Sequence, residues 1–234
     1  MKFTAVAFDL DGTLYPEYRL YLRLIPFLLK DLRLLLAMGK ARDRLRNLGG
    51  YEGDFYKLQG QIMAEILCEP AEKVIERTER LIYRGWEDHF KKITLFHHVR
   101  ETLETFRKRG IKMGLLSDFP PDTKLKNLKI DDYWDTVVCS EISGRLKPDP
   151  MPFLDLAGRM KTPPEDILYV GNSASYDAAG ARKAGMKTAL IRPKWKRPFS
   201  AKAGGARQAG GGSKATGADF IFSDYRQLCD YVLS

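Results

Sequence analysis

Two patterns of apolar positions divide the chain. Residues 3–8 form a short apolar run, and from residue 97 onward similar runs alternate with amphipathic segments. Between residues 16 and 96 the apolar residues instead recur at helical spacing, as in Leu24, Phe27 and Leu28. The pattern predicts an α/β core made of residues 1–15 and 97–234 and an all-helical domain inserted over residues 16–96.

The core sequence predicts strands and helices in alternation. Strands are predicted over residues 3–8, 111–116, 136–139, 167–170, 187–191 and 219–222. Helices are predicted over residues 99–109, 121–128, 149–160, 175–184 and 223–232, the last with Ser223 as its N-cap. Such alternation is typical of a parallel sheet covered by helices on both faces.

The inserted segment predicts helices with no strands between them. Residues 20–48 read as one helix or as a pair broken near Pro26, and two more helices are predicted over residues 54–67 and 70–90. Lys30, Asp31 and Arg33 interrupt the apolar run, which argues against a membrane span. We expect the apolar face of residues 24–38 to form the core of the insertion, with a partner or membrane-surface contact as the alternative.

The net charge of +9 is concentrated in one segment. Residues 192–214 hold seven basic residues and no acidic one, so the rest of the chain carries only +2. The seven are Arg192, Lys194, Lys196, Arg197, Lys202, Arg207 and Lys214. Because the segment is also rich in Gly and Ala, it predicts a flexible basic loop over residues 193–218. Nucleic acid is therefore only a minor alternative as a partner.

The cysteines and the N-terminus restrict the setting of the protein. The three cysteines are widely spaced and form no CxxC or His/Cys cluster, so neither a disulfide framework nor a zinc site is indicated. The first strand begins within a few residues of Met1, where a secretory signal would need a long apolar stretch. We expect a cytoplasmic protein with no transmembrane segment.

Two aspartates stand one residue apart where the first apolar run ends, in the stretch Asp9-Leu10-Asp11-Gly12-Thr13. Like charges this close repel each other, and burial removes the water that would screen them. A divalent cation would offset the repulsion and leave one carboxylate oxygen free to attack an electrophile. The stretch therefore predicts a metal-assisted nucleophile, with a structural turn as the alternative.

Other polar residues follow the later strands. Ser117 ends the second predicted strand, Lys147 lies in the loop after the third, and Asn172 and Asp177 follow the fourth. Ligands of open parallel sheets bind at the carboxyl ends of the strands, so we expect these side chains in one crevice with Asp9. Carboxylates, an amide, a hydroxyl and an ammonium together suit a phosphoryl group held by Mg²⁺.

Four stretches together resemble the motifs of the haloacid dehalogenase superfamily, chiefly its magnesium-dependent phosphatases such as the phosphoglycolate phosphatases. They are Asp-Leu-Asp-Gly-Thr-Leu-Tyr, Leu-Leu-Ser-Asp, Leu-Lys-Pro-Asp-Pro and Val-Gly-Asn-Ser-Ala-Ser-Tyr-Asp, in that order along the chain. The resemblance covers the whole predicted α/β portion. It implies a Rossmann-like parallel-sheet core and a helical cap domain between the first and second motifs, where residues 16–96 lie.

The resemblance also implies roles for single residues. Asp9 would attack phosphorus to form an aspartyl-phosphate, and Asp11 would protonate the leaving alcohol and later deprotonate water. Ser117 would hydrogen-bond the phosphoryl group, and Lys147 would neutralise its oxygens. The implied Mg²⁺ ligands are the Asp9 carboxylate, the Asp11 backbone carbonyl, Asn172 and, directly or through water, Asp177.

Asn172 departs from the family pattern, which usually has an aspartate at this position. The change removes one negative charge but keeps a carbonyl oxygen, so we expect weaker Mg²⁺ binding with activity retained. The predicted substrate is a small phosphorylated metabolite, with phosphoglycolate, sugar phosphates and nucleoside monophosphates as candidates. The alternatives are a dehalogenase that also uses Asp9, and a catalytically degenerate member of the fold that binds an acidic partner.

Overall fold

A parallel sheet with strand order β3-β2-β1-β4-β5-β6 forms the centre of the computed structural model, which describes residues 2–193 and 217–234. The strands of these residues are β1 (Ala5–Phe8), β2 (Lys112–Ser117), β3 (Thr136–Cys139), β4 (Ile167–Gly171), β5 (Lys187–Ile191) and β6 (Phe220–Phe222). All pairs are parallel. The predicted parallel α/β core is confirmed.

Strand β1 lies in the middle of the sheet because its side chains are all apolar and can be covered on both faces. All four of its residues are buried. Val6 and Phe8 belong to one hydrophobic cluster, and Ala5 and Ala7 belong to another, as expected when successive side chains point to opposite faces. Such two-sided burial is characteristic of a central parallel strand.

The strand order reverses at β1, and the reversal determines where a crevice opens. In register, Ala5 of β1 lies beside Lys112 of β2 on one side and beside Ile167 of β4 on the other. The chain runs outward through β2 and β3 on one side and through β5 and β6 on the other. The loops that leave β1 and β4 therefore diverge, and a ligand crevice is expected between them.

Helices cover both faces of the sheet. In the α/β portion they are α6 (Val99–Lys108), α7 (Asp122–Leu128), α8 (Met151–Met160), α9 (Ala179–Lys183) and α10 (Tyr225–Leu233). Residues of α6, α7 and α10 share a cluster with Val6 and Phe8, whereas residues of α8 and α9 share one with Ala5 and Ala7. Helix α10 begins at an Asp224 capping box with Gln227, so the prediction of Ser223 as its N-cap is wrong.

The inserted segment holds α1 (Glu17–Leu28), α2 (Leu32–Asn47), α3 (Phe55–Leu67), α4 (Ala71–Thr78) and α5 (Glu87–Phe90), with a π-helical turn over Glu79–Arg84. Helix α1 continues through Pro26, and the break predicted near that residue occurs instead at a 3₁₀ turn over Leu29–Asp31. The Asp31 carboxylate accepts a hydrogen bond from the Leu34 amide at 3.0 Å and so fixes the start of α2.

The inserted segment contributes residues to two hydrophobic clusters. Leu20, Leu24, Phe90 and Ile93, near its two ends, belong to the same cluster as the sheet. Helices α2 to α4 form a second cluster around residues such as Met63, which also takes in Leu146 from the loop after β3. The helices over residues 32–84 thus have their own core, which also contacts the α/β portion.

Two further predictions concern the chain as a whole. The predicted flexible loop over residues 193–218 lies almost entirely outside the described residues. Within the part of the chain that the structure describes, no helix is long and apolar enough to cross a membrane.

Candidate active site

A cavity of about 270 Å³ opens at the carboxyl ends of β1 and β4. Its wall brings together polar residues from the segments that follow β1, β2, β3 and β4, among them Asp9, Asp11, Asp118, Lys147, Asn172 and Asp177. This is the edge at which the sequence predicts the crevice, although the loops that carry these residues are far apart in the chain.

Asp9 follows β1 and is held in the cavity from several directions. Its amide donates to the Val170 carbonyl at 2.9 Å, and its two carboxylate oxygens accept from Thr13 Oγ1 and Lys147 Nζ, each at 2.7 Å. The residue is only 7% exposed. Burial raises the pKa of Asp9 to about 7, with Lys147 opposing the shift and Asp177 and Asp11 adding to it. The side chain is therefore fixed in position and sensitive to any added positive charge.

Lys147 links two carboxylates across the cavity. Its ammonium lies 2.7 Å from Asp9 and 2.9 Å from Asp177, and it also donates to the Tyr169 hydroxyl at 3.1 Å. Burial alone would lower the pKa of Lys147, but Asp177 and Asp9 outweigh this effect and raise it well above its usual value. Lys147 therefore provides a permanent positive charge beside Asp9.

Asp177 and Asn172 are fixed by the turn that follows β4. One Asp177 oxygen accepts from the backbone amides of Asn172 and Ser173 at 3.1 and 2.9 Å. Gly171 has no room for a side chain here, because a Cβ would lie 2.4 Å from the Cβ of Asp177. The Asn172 side chain donates to the Asp11 backbone carbonyl at 3.0 Å, which joins the loops after β1 and β4.

Asp11 lies at the outer side of the cavity and has different partners from Asp9. Its carboxylate accepts from the Tyr15 hydroxyl and from Lys124 Nζ, which lies 2.7 and 2.6 Å from its two oxygens. Gly12 follows with a left-handed φ of 79°, and a Cβ at this position would meet Asn172 Nδ2 at 1.9 Å. The tight turn therefore needs glycine, and it directs the two aspartates toward separate partners.

Lys124 is the residue of this site that the sequence interpretation missed. It is only 8% exposed, and its ammonium lies 5.4 and 5.3 Å from the ring centres of Phe90 and Phe119. One signal was available, because Lys124 stands four residues before the buried Leu128 and therefore on the inward side of α7. A lysine at such a position needs a carboxylate partner, and Asp11 supplies one.

Ser117 and Asp118 end and follow β2. Ser117 is fully buried, and its hydroxyl accepts a hydrogen bond from the Phe119 amide at 3.2 Å. The cavity wall at this point is formed by its neighbours Asp118 and Phe119. Burial would raise the pKa of Asp118, but Lys147, Arg42, a hydrogen bond from Ser140 and Arg46 together lower it.

The helical insertion reaches the site through two arginines of α2. Arg46 donates to the Lys147 carbonyl at 2.9 Å and to the Asp118 carboxylate at 3.1 Å. Arg42 forms a buried ion pair with Glu141 and donates to the Asp118 carbonyl at 3.2 Å. Both loops that follow β2 and β3 are therefore tied to the insertion.

The oxygen donors in the cavity suit a hard divalent cation. The Asp9 and Asp177 carboxylates share Lys147, and the Asn172 side chain contacts the Asp11 carbonyl, so the four predicted ligands lie in one place. In the described residues, no group of three or more His, Cys, Asp or Glu side chains could hold a metal. A cation here would therefore depend on the carbonyl and amide oxygens as well as on carboxylates, and Mg²⁺ accepts all of these.

Comparison with known proteins gives a family and several relatives. The family model for haloacid dehalogenase-like hydrolases matches residues 3–185. A phosphoglycolate phosphatase of Nitrosospira multiformis is 30% identical over 187 residues, which are 77% of this chain and 79% of that protein. A putative pyrophosphatase PpaX of Caldanaerobacter subterraneus is 27% identical over 207 residues, 83% of each chain.

Solved structures show the same fold at lower identity. The L-2-haloacid dehalogenase of Xanthobacter autotrophicus superposes with a TM-score of 0.65 at 18% identity and covers 99% of both chains. A phosphatase of the haloacid dehalogenase type from Thermococcus onnurineus gives a TM-score of 0.61 at 24% identity, with 97% of both chains covered. These likenesses extend over the insertion as well as the sheet.

Proposed function

The chain belongs to the haloacid dehalogenase-like hydrolases, and we propose that it is a phosphatase that hydrolyses a small phosphate monoester through an aspartyl-phosphate. The observation that carries this proposal is that the two aspartates of the first motif have separate partners. Asp9 and Asp11 line one cavity, and each has its own lysine, Lys147 for Asp9 and Lys124 for Asp11. The relatives named as phosphoglycolate phosphatase and pyrophosphatase support phosphoryl chemistry.

Asp9 is the proposed nucleophile. One of its oxygens attacks phosphorus to form an O–P bond, and the bond from phosphorus to the ester oxygen breaks. Thr13 and Lys147 each hold one Asp9 oxygen at 2.7 Å, so the carboxylate keeps its orientation through the attack. Lys147 also lies where it can balance charge on the phosphoryl oxygens.

Asp11 is the proposed acid and base. In the first step it gives a proton to the leaving alkoxide, and in the second it takes a proton from the water that attacks the aspartyl-phosphate. The second step breaks the Asp9–phosphate bond and releases inorganic phosphate. Tyr15 and Lys124 hold the Asp11 carboxylate from its other sides and so fix its position between the two steps.

The residues present fit Mg²⁺ as the cofactor. The Asp9 carboxylate, the Asp11 carbonyl and the Asn172 side chain would hold it, with Asp177 as a further ligand. When bound, the ion would neutralise phosphoryl oxygens and screen the repulsion between them and Asp9. Ser117 was expected to hydrogen-bond the phosphoryl group, but it is fully buried and does not line the cavity. Its hydroxyl accepts a hydrogen bond from the Phe119 amide, so its proposed role is to position the loop after β2.

Asp11 also favours a phosphate ester over a halide as the substrate. Loss of halide from carbon needs no protonation, whereas an alkoxide leaves from phosphorus more easily when it receives a proton. A carboxylate fixed by both Tyr15 and Lys124 is a costly feature for an enzyme that does not use it. The dehalogenases among the solved structures share the fold at low identity.

The direct test is a hydrolysis assay on a panel of phosphate monoesters with added Mg²⁺. We expect turnover by the wild type and a loss of at least about 10³-fold in Asp9→Asn, because the amide cannot act as the nucleophile. Mass spectrometry of the acid-quenched reaction should find a phosphoryl group on the peptide that contains Asp9.

Asp132→Asn is the matched control, because the same change falls on an exposed aspartate that pairs with Arg107. This variant should keep wild-type turnover. A rate that persists in purified, folded Asp9→Asn would contradict the proposal. If the wild type hydrolysed none of the esters, the result would favour the alternative of a catalytically degenerate member of the fold that binds an acidic partner.

A further inference from the structure

A second and larger cavity adjoins the catalytic one. It has a volume of about 580 Å³, within the range of small-molecule sites. Trp86, Phe119 and Lys124 line both cavities, so the two spaces meet at these side chains. A substrate whose phosphoryl group lies at Asp9 can therefore extend its leaving group into this space.

The walls of the second cavity are rich in aromatic rings. Tyr56, Tyr83, Phe119 and Trp86 form a continuous chain, with ring centres 5.0, 6.4 and 6.2 Å apart in turn. Phe90 completes the aromatic lining beside Lys124. Rings in tilted and edge-on arrangements favour an aromatic guest, which can add a further contact of the same kind.

The charges on the cavity wall argue against an anionic guest, since the carboxylates of Glu79 and Glu87 also line it. Both lining cations already have carboxylate partners, Arg84 with Glu79 at 2.9 Å and Lys124 with Asp11 at 2.6 Å. An anionic group that entered would have to displace one of these partners. The Trp86 indole nitrogen is buried and finds no hydrogen-bond partner among the described residues, so the wall also offers a neutral donor to the guest.

We propose that the second cavity binds the leaving group of the substrate and that this group carries an aromatic ring and no negative charge. The inference rests on the proposed phosphatase function and specifies its substrate class. Water is consumed, the ester bond to phosphorus breaks, and an aromatic alcohol and inorganic phosphate are released. The preference differs from that implied by the names of the relatives, since the leaving groups of phosphoglycolate and pyrophosphate are anionic.

The test compares benzyl phosphate with ethyl phosphate, which have similar alkoxide leaving groups and differ mainly in the ring. We expect kcat/KM to be at least about tenfold higher for benzyl phosphate, because the ring leaves water for an apolar cavity. Phosphoglycolate, tested under the same conditions, should fall below benzyl phosphate. Equal values for the benzyl and ethyl esters, or a higher value for phosphoglycolate, would overturn the inference.

Thr123→Trp tests the location of the ring. Thr123 is exposed on α7 and lines the second cavity, so a tryptophan there should fill it and bring the ratio of benzyl to ethyl kcat/KM to about one. Asp122→Trp is the control, because it adds the same side chain to the neighbouring exposed position, outside the wall of this cavity. If Thr123→Trp kept the wild-type preference for benzyl over ethyl phosphate, the ring could not lie in the second cavity. Glu87→Trp, at another exposed position of the wall, replaces Thr123→Trp if that variant does not fold.

Binding measurements separate this inference from the proposed function. Isothermal titration of benzylphosphonate and ethylphosphonate, which cannot be hydrolysed as esters, needs no turnover. Tighter binding of benzylphosphonate that is lost in Thr123→Trp would support the cavity even if no ester were hydrolysed, in which case only the phosphatase function fails. Equal binding of the two phosphonates by an enzyme that does hydrolyse esters would overturn the cavity inference alone.

Discussion

The sheet side of the catalytic cavity and the side formed by the helical insertion are held by different interactions. On the sheet side, Lys147 lies between Asp9 and Asp177, and the positive charge is used where the chemistry is proposed to occur. On the insertion side, Arg42 pairs with Glu141 and Arg46 with Asp118, next to that chemistry but one residue removed from it. The first set of charges lies where we propose that the reaction occurs, and the second holds the loops that carry those residues.

This difference predicts two classes of variant. A change on the sheet side should reduce both stability and the chemical step, because the same buried charges support both. A change on the insertion side should reduce stability and substrate affinity more than the chemical step.

The largest effect is expected for Lys147→Met. The variant leaves Asp9 and Asp177 buried together without a cation, which should cost about 3–5 kcal/mol of unfolding free energy. We also expect kcat to fall by at least about 10²-fold, because a charge beside the phosphoryl group is lost. Urea unfolding and steady-state kinetics measure the two effects.

Lys187→Met is the control for this variant. Lys187 lies on the same sheet but is exposed and pairs with Asp219 at 3.7 Å, so its loss should cost less than about 1 kcal/mol. If Lys147→Met unfolded at the same urea concentration as the control, the buried charge network would not be a source of stability.

A smaller effect is expected for Arg42→Met. The variant strands the buried Glu141 carboxylate and should lower the unfolding free energy by about 3 kcal/mol, with KM raised more than kcat is lowered. The double variant Arg42→Met with Glu141→Gln should recover part of the stability, since no unpaired charge remains. Double-mutant analysis of urea unfolding gives the coupling between the two residues.

Arg44→Met provides the comparison, because Arg44 lies on the same helix and pairs with Glu65 at the surface. It should change stability and kinetics little. If kcat fell as far in Arg42→Met as in Lys147→Met, the two sides of the cavity would not differ in their effect on the chemical step.

A still smaller effect is expected for Lys124→Met, which keeps an apolar stem between Phe90 and Phe119 but removes the partner of Asp11. We expect kcat to fall about tenfold, because Asp11 loses one of the two groups that fix its position. The exposed Lys126→Met on the same helix should behave as the wild type. A wild-type kcat in Lys124→Met would show that Lys124 does not contribute to the chemical step.

The smallest effect is expected for Asn172→Asp. The added carboxylate should lower the Mg²⁺ concentration that gives half-maximal rate, with little change in the maximal rate, because ligand charge determines the affinity for the ion. Mg²⁺ titrations of the wild type and the variant measure the difference. An unchanged half-saturating concentration would contradict the role assigned to Asn172.

Much of the sheet follows from short-range pattern. The runs at residues 136–139 and 187–191 coincide with β3 and β5. The run at residues 167–170 falls within β4, whose five residues are all buried, as expected for an apolar strand covered on both faces. The edge at which the polar residues meet follows from parallel pairing alone. Asp9, Lys147 and Asp177 could therefore be placed in one crevice before any distance was known.

Contacts that join distant parts of the chain were not predictable in the same way. Arg42 and Glu141 are separated by 99 positions, and neither lies in a motif. Lys124 was missed because a lysine in a helix is usually exposed, and only its register with Leu128 suggests burial. The start of α10 depends on Asp224 instead of Ser223 because the capping box needs Gln227 three residues later.

Leu146 connects the two halves of the molecule in a way that bears on their exchange. It immediately precedes Lys147, yet it is buried in the core of the inserted helices, and Arg46 of α2 binds the Lys147 carbonyl at 2.9 Å. Grafting the insertion of another family member onto this sheet would leave Leu146 without its hydrophobic neighbours and release the loop that positions Lys147. The insertion is therefore not a transferable module. A chimera would need residues 141–149 replaced together with the helices to keep a lysine of this loop beside Asp9.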